Sequence, residues 1–171
     1  MRIELDKLES NNNNFAHVYE PEELMLDEEH VRLVEPPEVR GRVNRRSHEV
    51  QLRGTVRARA EVDCDRCLQS VEIPIETNFD VKYISSDDYS ATETVELQED
   101  DLSVAVFDDA TIDIDELVRE QVLLALPTRA LCSEECQGLC PVCGANKNNR
   151  PCACETVEID PRWSGLKDLG F

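Results

Sequence analysis

Glu49–Cys67 reads EVQLRGTVRARAEVDCDRC, and its alternation decides the fold. Val50, Leu52, Gly54, Val56, Ala58, Ala60 and Val62 take every second place, with Gln51, Arg53, Thr55, Arg57, Arg59 and Glu61 between them. A pleated strand sends successive side chains to opposite faces, so the pattern predicts a long strand with one buried face. Continuing the count puts Cys64 on the inward side and gathers Arg53, Arg57 and Arg59 on the outer surface.

Upstream, Arg40, Arg42, Arg45 and Arg46 lie in an extended segment that can pair with this strand as a hairpin around Ser47 and His48. Arg2–Leu5 reads as a short strand, and the polar run Asn11–Asn14 as a turn or loop. The acidic stretch Tyr19–Pro37, closed by Pro36 and Pro37, reads as irregular or partly helical, then extended.

Downstream, Val71–Ile84 is strand-like but interrupted by Pro74, which suits an edge or a bulge. Ser85–Asp101 reads as an acidic loop with one short strand near Val95 and Leu97, and Leu102–Phe107 as a further strand. Asp113 can cap a helix, with Glu116 three residues on, and Ile114, Leu117, Val118, Leu124 and Ala125 recur at helical spacing. Pro127 ends that helix.

At 171 residues the chain suits one domain with a core and a small appendage. The expected fold class is α+β. An antiparallel β-rich domain over residues 1–131 is covered by one amphipathic helix near 114–126, and a cysteine-rich zinc-knuckle segment over 132–171 packs on it. That segment contains CSEECQGLCPVCGANKNNRPCAC, too poor in large apolar groups to bury a core, so metal must hold it together.

Met1–Ser10 has neither the apolar run of a secretion signal nor an Arg-rich presequence. No stretch approaches the roughly 20 apolar residues a membrane helix needs. These features point to the cytoplasm, where eight cysteines are held reduced and read as metal ligands before disulfides.

Cys140, Pro141, Val142, Cys143 and Gly144 form a CPxCG knuckle: two thiolates meet one ion while the glycine permits the tight turn. Cys152 and Cys154 follow after an eight-residue loop and complete a tetrahedral set. The remaining four, Cys64 and Cys67 in CDRC with Cys132 and Cys136 in CSEEC, make a second quartet. A competing arrangement binds one zinc and leaves two to four cysteines buried or redox-active. The cofactor expected is therefore one or two structural Zn2+ ions. His17, His30 and His48 lie outside the cysteine motifs, which favours closed sites over catalytic ones.

Net charge is −19, against nonspecific attraction to nucleic acid. Residues 40–66 depart from this, with eight basic groups, all arginine, against four acidic ones. Arg42, Arg45, Arg46, Arg53, Arg57 and Arg59 are accordingly the candidate RNA contacts, and pairing with nearby carboxylates is the competing account of them. Aromatic residues make up only 5%, which weakens a case for base stacking. No phosphate loop, GxSxG elbow or paired-histidine motif is present, and no catalytic residue is assigned.

CDRC after a long alternating strand, then EQVLLALPTRALCSEECQGLCPVCGANKN with a closing CAC, and finally DPRWSGLKDL, resemble the YceD family. The resemblance covers most of Val39–Leu169 and is sharpest from Glu116 onward. It implies a bacterial or organellar protein of ribosome biogenesis, tied to accumulation of large-subunit ribosomal RNA, with no assigned enzyme activity. It also implies that the CxxC pair, the cysteine-rich segment and the DPRWSGL ending belong to one folded unit. Lys147 departs from the pattern, standing where an apolar residue is expected, as in GANLN.

Two functional readings follow. One is an assembly factor touching ribosomal RNA of the precursor large subunit through the arginine face. The other is an acidic adaptor or chaperone for a basic ribosomal protein, using residues 85–116 and the tail. Neither calls for a membrane or a small-molecule substrate.

Overall fold

The computed structural model describes residues 1–8, 10–26, 28, 30–46, 49–86, 104–108, 110–155 and 162. In chain order the elements are β1 (Arg2–Glu4), a 3-10 turn (Leu5–Lys7), β2 (Asn12–Val18), β3 (Val31–Arg46), β4 (Glu49–Asp63), β5 (Ser70–Ser85), β6 (Val104–Phe107), β7 (Thr111–Asp113) and α1 (Ile114–Ala125). By compactness the chain divides into Met1–Val62 with Glu72–Thr128, and Asp63–Val71 with Arg129–Phe171.

In the first unit a sheet is ordered β2-β3-β4-β5-β6, and β1 pairs with β7 in a separate two-stranded sheet. The alternation of β4 is realised as expected: Val50, Leu52, Val56 and Ala60 are buried, while Arg53 and Arg57 are exposed. β3 pairs with it antiparallel, Val43 opposite Leu52 and Val39 opposite Val56. The helix buries Ile114, Leu117, Val118 and Val122 in the same core. Its start is fixed by Asp113, whose side chain accepts from the N–H groups of Asp115 at 2.9 Å and Glu116 at 3.3 Å.

Gly41 faces Gly54 across β3 and β4 because neither position has room for a side chain. A methyl group on Gly54 would lie 2.3 Å from the Arg40 carbonyl oxygen and 2.6 Å from the Phe79 ring. One on Gly41 would meet the Phe15 ring at 2.6 Å. The two rings thus lie against bare backbone and fill what the glycines leave open.

Several expectations are corrected. Asn12–Asn14 belong to β2 rather than a turn, with Asn12 opposite Asn44 and Asn14 opposite Arg42. Pairing with β3 overrides the low strand propensity of asparagine. Tyr19–Pro37, read as irregular or partly helical and then extended, is extended from Val31, where β3 begins, and the register of β3 slips between Leu33 and Glu38. Pro36 and Pro37 fall in that slip, where a missing N–H costs no ladder bond.

The sheet is mixed, not purely antiparallel: β6 runs parallel to β5, from Lys82 opposite Val104 to Ser85 opposite Phe107. The 18 residues between these strands are enough for the crossover that parallel pairing demands. Because β6 pairs only with the end of β5, Pro74 lies on a stretch with no outer neighbour among the described residues. In the helix, Leu124 is 79% exposed and Val122 takes the inward place expected of it. The short strand expected near Val95 and Leu97 lies outside the described residues, as do the turn residues Ser47 and His48.

Candidate metal centre

Each of the two CxxC segments folds into the same turn. In Cys140–Ala145 the Cys140 N–H donates to the Ala145 carbonyl at 2.8 Å, and the Gly144 N–H to the Cys140 carbonyl at 2.8 Å. In Cys64–Gln69 the Cys64 N–H donates to the Gln69 carbonyl at 2.8 Å, and the Leu68 N–H to the Cys64 carbonyl at 2.9 Å. Gly144 has φ +69° and Leu68 has φ +58°, so a leucine holds the left-handed place that a glycine holds in the other turn.

The turns bring the sulfurs into two quartets, Cys64–Cys67–Cys132–Cys136 and Cys140–Cys143–Cys152–Cys154, each with all four sulfurs within 4.8 Å of one another. In the first, Cys64 Sγ lies 3.9 Å from Cys136 Sγ and Cys67 Sγ 3.6 Å from Cys132 Sγ. A tetrahedron with metal–sulfur bonds of about 2.3 Å has sulfur–sulfur edges of about 3.8 Å, so the spacing fits a four-thiolate ion and is far too long for a disulfide. Both quartets lie in the second compact unit.

The residues inside CDRC hold the first quartet together. Asp65 N–H donates to the Ala130 carbonyl at 2.9 Å while the Ala130 N–H returns to Asp65 Oδ2 at 2.8 Å. Arg66 Nη1 donates to the carbonyls of Cys136 at 2.8 Å and Glu134 at 3.3 Å, and the Leu139 N–H reaches the Arg66 carbonyl at 3.0 Å. These bonds place Cys132 and Cys136 opposite the turn. Cys64, Cys67 and Cys136 are buried with Val71, Leu131 and Leu139 packed around them.

Polar hydrogens point at the sulfurs. The Cys132 N–H lies 3.4 Å from Cys64 Sγ, and Asn148 Nδ2 3.2 Å from Cys136 Sγ. Burial pushes the Cys64 thiol up, but hydrogen bonds from the backbone of Arg66, Cys132 and Cys67 outweigh it and bring it down to about 6. Backbone hydrogen bonds from Cys143 and Val142 bring Cys140 down to about 6. Their neighbours move the other way: Cys132, hydrogen-bonded to Cys136 and Cys67, rises to about 12, and Cys154, hydrogen-bonded to Cys143, rises to about 12. Four clustered thiols cannot all ionise unless a cation joins them. Lys147, which departs from the family pattern, is partly exposed, and its backbone N–H donates to the Gly138 carbonyl at 2.9 Å.

The arginines meet carboxylates, in the first unit. Arg53 Nε lies 2.8 Å from Asp80 Oδ2, Arg57 Nη2 2.8 Å from Glu76 Oε1, and Arg59 Nε 3.0 Å from Glu35 Oε1. The hydrogen bond from Arg53 holds the Asp80 carboxyl below the usual range. Arg42 Nε donates to Asn14 Oδ1 at 3.2 Å, and Arg46 stands opposite Glu49. Arg45, opposite Val50, projects to the other side of the sheet, where its Nη1 donates to the Leu5 carbonyl at 3.1 Å. The sequence offers no local sign of these partners, since Asp80 and Glu76 come from β5. The roles of Asp65 and Arg66 likewise depend on partners more than sixty residues away, and that of Asn148 on how its loop folds back onto Cys136 and Gln137.

Residues 52–170 match the sequence model of the family described as large ribosomal RNA subunit accumulation protein YceD. The chain belongs to that family. An uncharacterized protein of Mycobacterium tuberculosis is 34% identical over 128 residues, 75% of this chain and 59% of that protein. YlbN of Bacillus subtilis is 27% identical over 167 residues, 97% of this chain and 92% of that protein. The chloroplastic large ribosomal RNA subunit accumulation protein YCED homolog 1 of Arabidopsis thaliana is 27% identical over 156 residues, 78% of this chain and 48% of that protein. The chain thus spans less than two thirds of the length of the mycobacterial relative. No solved structure matches it significantly. Among the described residues no helix is long and apolar enough to cross a membrane.

Proposed function

We propose that this chain is a non-catalytic, cytoplasmic ribosome biogenesis factor that supports accumulation of the 23S RNA of the large subunit, with its eight cysteines holding two structural zinc ions. The family match over residues 52–170 carries the reading. Zinc suits the donor set because four thiolates in a tetrahedron satisfy an ion with no geometric or redox demand of its own. With all four positions taken by sulfur, water has no place on the metal, so the ion supplies folding energy rather than a nucleophile.

In this reading Arg42, Arg46, Arg53, Arg57 and Arg59 contact ribosomal RNA in the precursor large subunit, phosphate oxygens displacing Asp80, Glu76 and Glu35. Arg45 is left out, being committed to a backbone carbonyl on the opposite face. The pairing of the stripe with carboxylates favours a second reading: an acidic adaptor for a basic ribosomal protein, with the net charge of −19 as its attraction.

The test is depletion of the protein with both ribosomal RNAs quantified, alongside sedimentation of the tagged chain with and without RNase. Selective loss of large-subunit RNA and co-migration with immature large subunits support the role. Association that survives RNase selects the adaptor. Balanced RNA levels and free protein contradict both.

A further inference from the structure

Asn148 belongs to the loop that separates Cys143 from Cys152 of the second quartet, yet its side chain serves the first. Its Nδ2 donates to Cys136 Sγ at 3.2 Å, and its Oδ1 accepts from the Gln137 N–H at 2.7 Å, so one amide grips both the ligand and the residue after it. The loop presents that amide in a fixed pose. Asn148 N–H donates to Asn146 Oδ1 at 2.9 Å, the N–H groups of Asn149 and Arg150 both reach the Asn146 carbonyl at 3.2 Å, and Leu139 bridges to Asn146.

A donor on a thiolate steadies its charge and its direction, and such outer partners commonly decide 10–100-fold of metal affinity. The loop's two ends are Cys143 and Cys152, so the ion that joins them removes the freedom of everything between. We propose that Asn148 couples the two clusters. An ion held by Cys140, Cys143, Cys152 and Cys154 fixes the loop that delivers Asn148 to Cys136, and thereby tightens binding by Cys64, Cys67, Cys132 and Cys136. Linkage makes the effect mutual, each ion favouring the other by the same factor. The inference rests on the reading that both quartets hold ions.

The experiment uses the zinc-loaded full chain, competed with a chromophoric chelator, with the released site identified by alkylation and peptide mass spectrometry. In Asn148→Ala one ion should leave at about tenfold lower chelator concentration, with Cys64, Cys67, Cys132 and Cys136 labelled first. Asn148→Asp keeps an acceptor for the Gln137 N–H but cannot donate to sulfur, and should lose at least as much. Disabling the second quartet with Cys152→Ser and Cys154→Ser should weaken the first by a similar factor. Unchanged release from the first quartet in the asparagine variants, or in the serine double variant, overturns the coupling while leaving the two-ion reading intact. A wild-type chain that holds no ion overturns both.

Discussion

Leu68 and Gly144 occupy the same left-handed position in two turns with matching hydrogen bonds, one after each CxxC pair. Only glycine takes that conformation without cost, and an L-residue forfeits roughly 1–2 kcal/mol there. Leu68 keeps its place although its side chain is 64% exposed and gains little burial in return. Leu68→Gly should therefore leave the metal-loaded protein as stable or stabilise it by up to about 1 kcal/mol, the glycine's greater unfolded freedom taking back part of the relief. A methyl at Gly144 would touch nothing within 4 Å, so Gly144→Ala should cost about 1 kcal/mol from backbone strain alone. Denaturant unfolding of both variants checks the pair, and a destabilised Leu68→Gly would contradict the equivalence.

Gly54→Ala should be the costlier of the two changes at the glycine pair. Its methyl meets the Arg40 carbonyl oxygen at 2.3 Å, and backbone in a sheet cannot step aside as a ring can. Gly41→Ala meets the far end of the Phe15 ring at 2.6 Å and the Arg53 carbonyl oxygen at 2.8 Å, half an ångström farther than the oxygen met at Gly54. Overpacking of this kind costs about 1–3 kcal/mol, so Gly54→Ala should lie near the upper end and Gly41→Ala near the lower. Thermal unfolding of the two variants gives the order.

Asp113 caps α1 and its carboxyl lies below the usual range. Burial raises it, but hydrogen bonds from the Glu116 backbone and Arg2, with that of Asp115, overcome the burial. A depressed carboxyl contributes stability that is present above the ordinary aspartate value and is lost as pH falls through the folded-state value. Asp113→Ala should cost about 1 kcal/mol at neutral pH, and that difference should shrink in acid below about pH 4. Asp113→Asn, which still caps but does not titrate, should cost less and show a flatter acid dependence. Unfolding curves of the three proteins at several pH values decide it.

Asp80→Asn together with Glu76→Gln frees Arg53 and Arg57 from their counter-ions without reversing any charge. If these arginines meet phosphate, the double variant should bind large-subunit RNA more tightly, and its affinity should fall more steeply with salt, by about one unit of logarithmic slope per freed arginine. Filter binding over a salt series reads both. Unchanged affinity and slope would move the contact away from β4 and toward the acidic adaptor.

The long strand was legible because one face of β4 is buried along nearly its whole length, and burial writes itself into sequence as alternation. The cysteine quartets were legible for a different reason: a metal site needs its donors named outright. The asparagines of β2 gave no such sign, since their strand exists through pairing with β3 rather than through a hydrophobic face of its own. Leu68 hid the likeness between the CDRC and CPVCG turns by standing where glycine would have announced it. Leu124 fits a helical count but points to solvent, because the two residues that separate it from buried Val122 turn the helix by about 200°. Nor could the parallel pairing of β6, or the partners of the arginine stripe, be read locally, as each depends on which strands the topology makes neighbours.

Native mass spectrometry of the purified, reduced chain tests the central claim most directly, that two ions are held by two separate cysteine quartets. The wild-type protein should carry two zinc ions that vanish on acid denaturation, while Cys132→Ser and Cys154→Ser should each carry one. A single ion in the wild type, or a mass lowered by disulfide formation in place of metal, would contradict it.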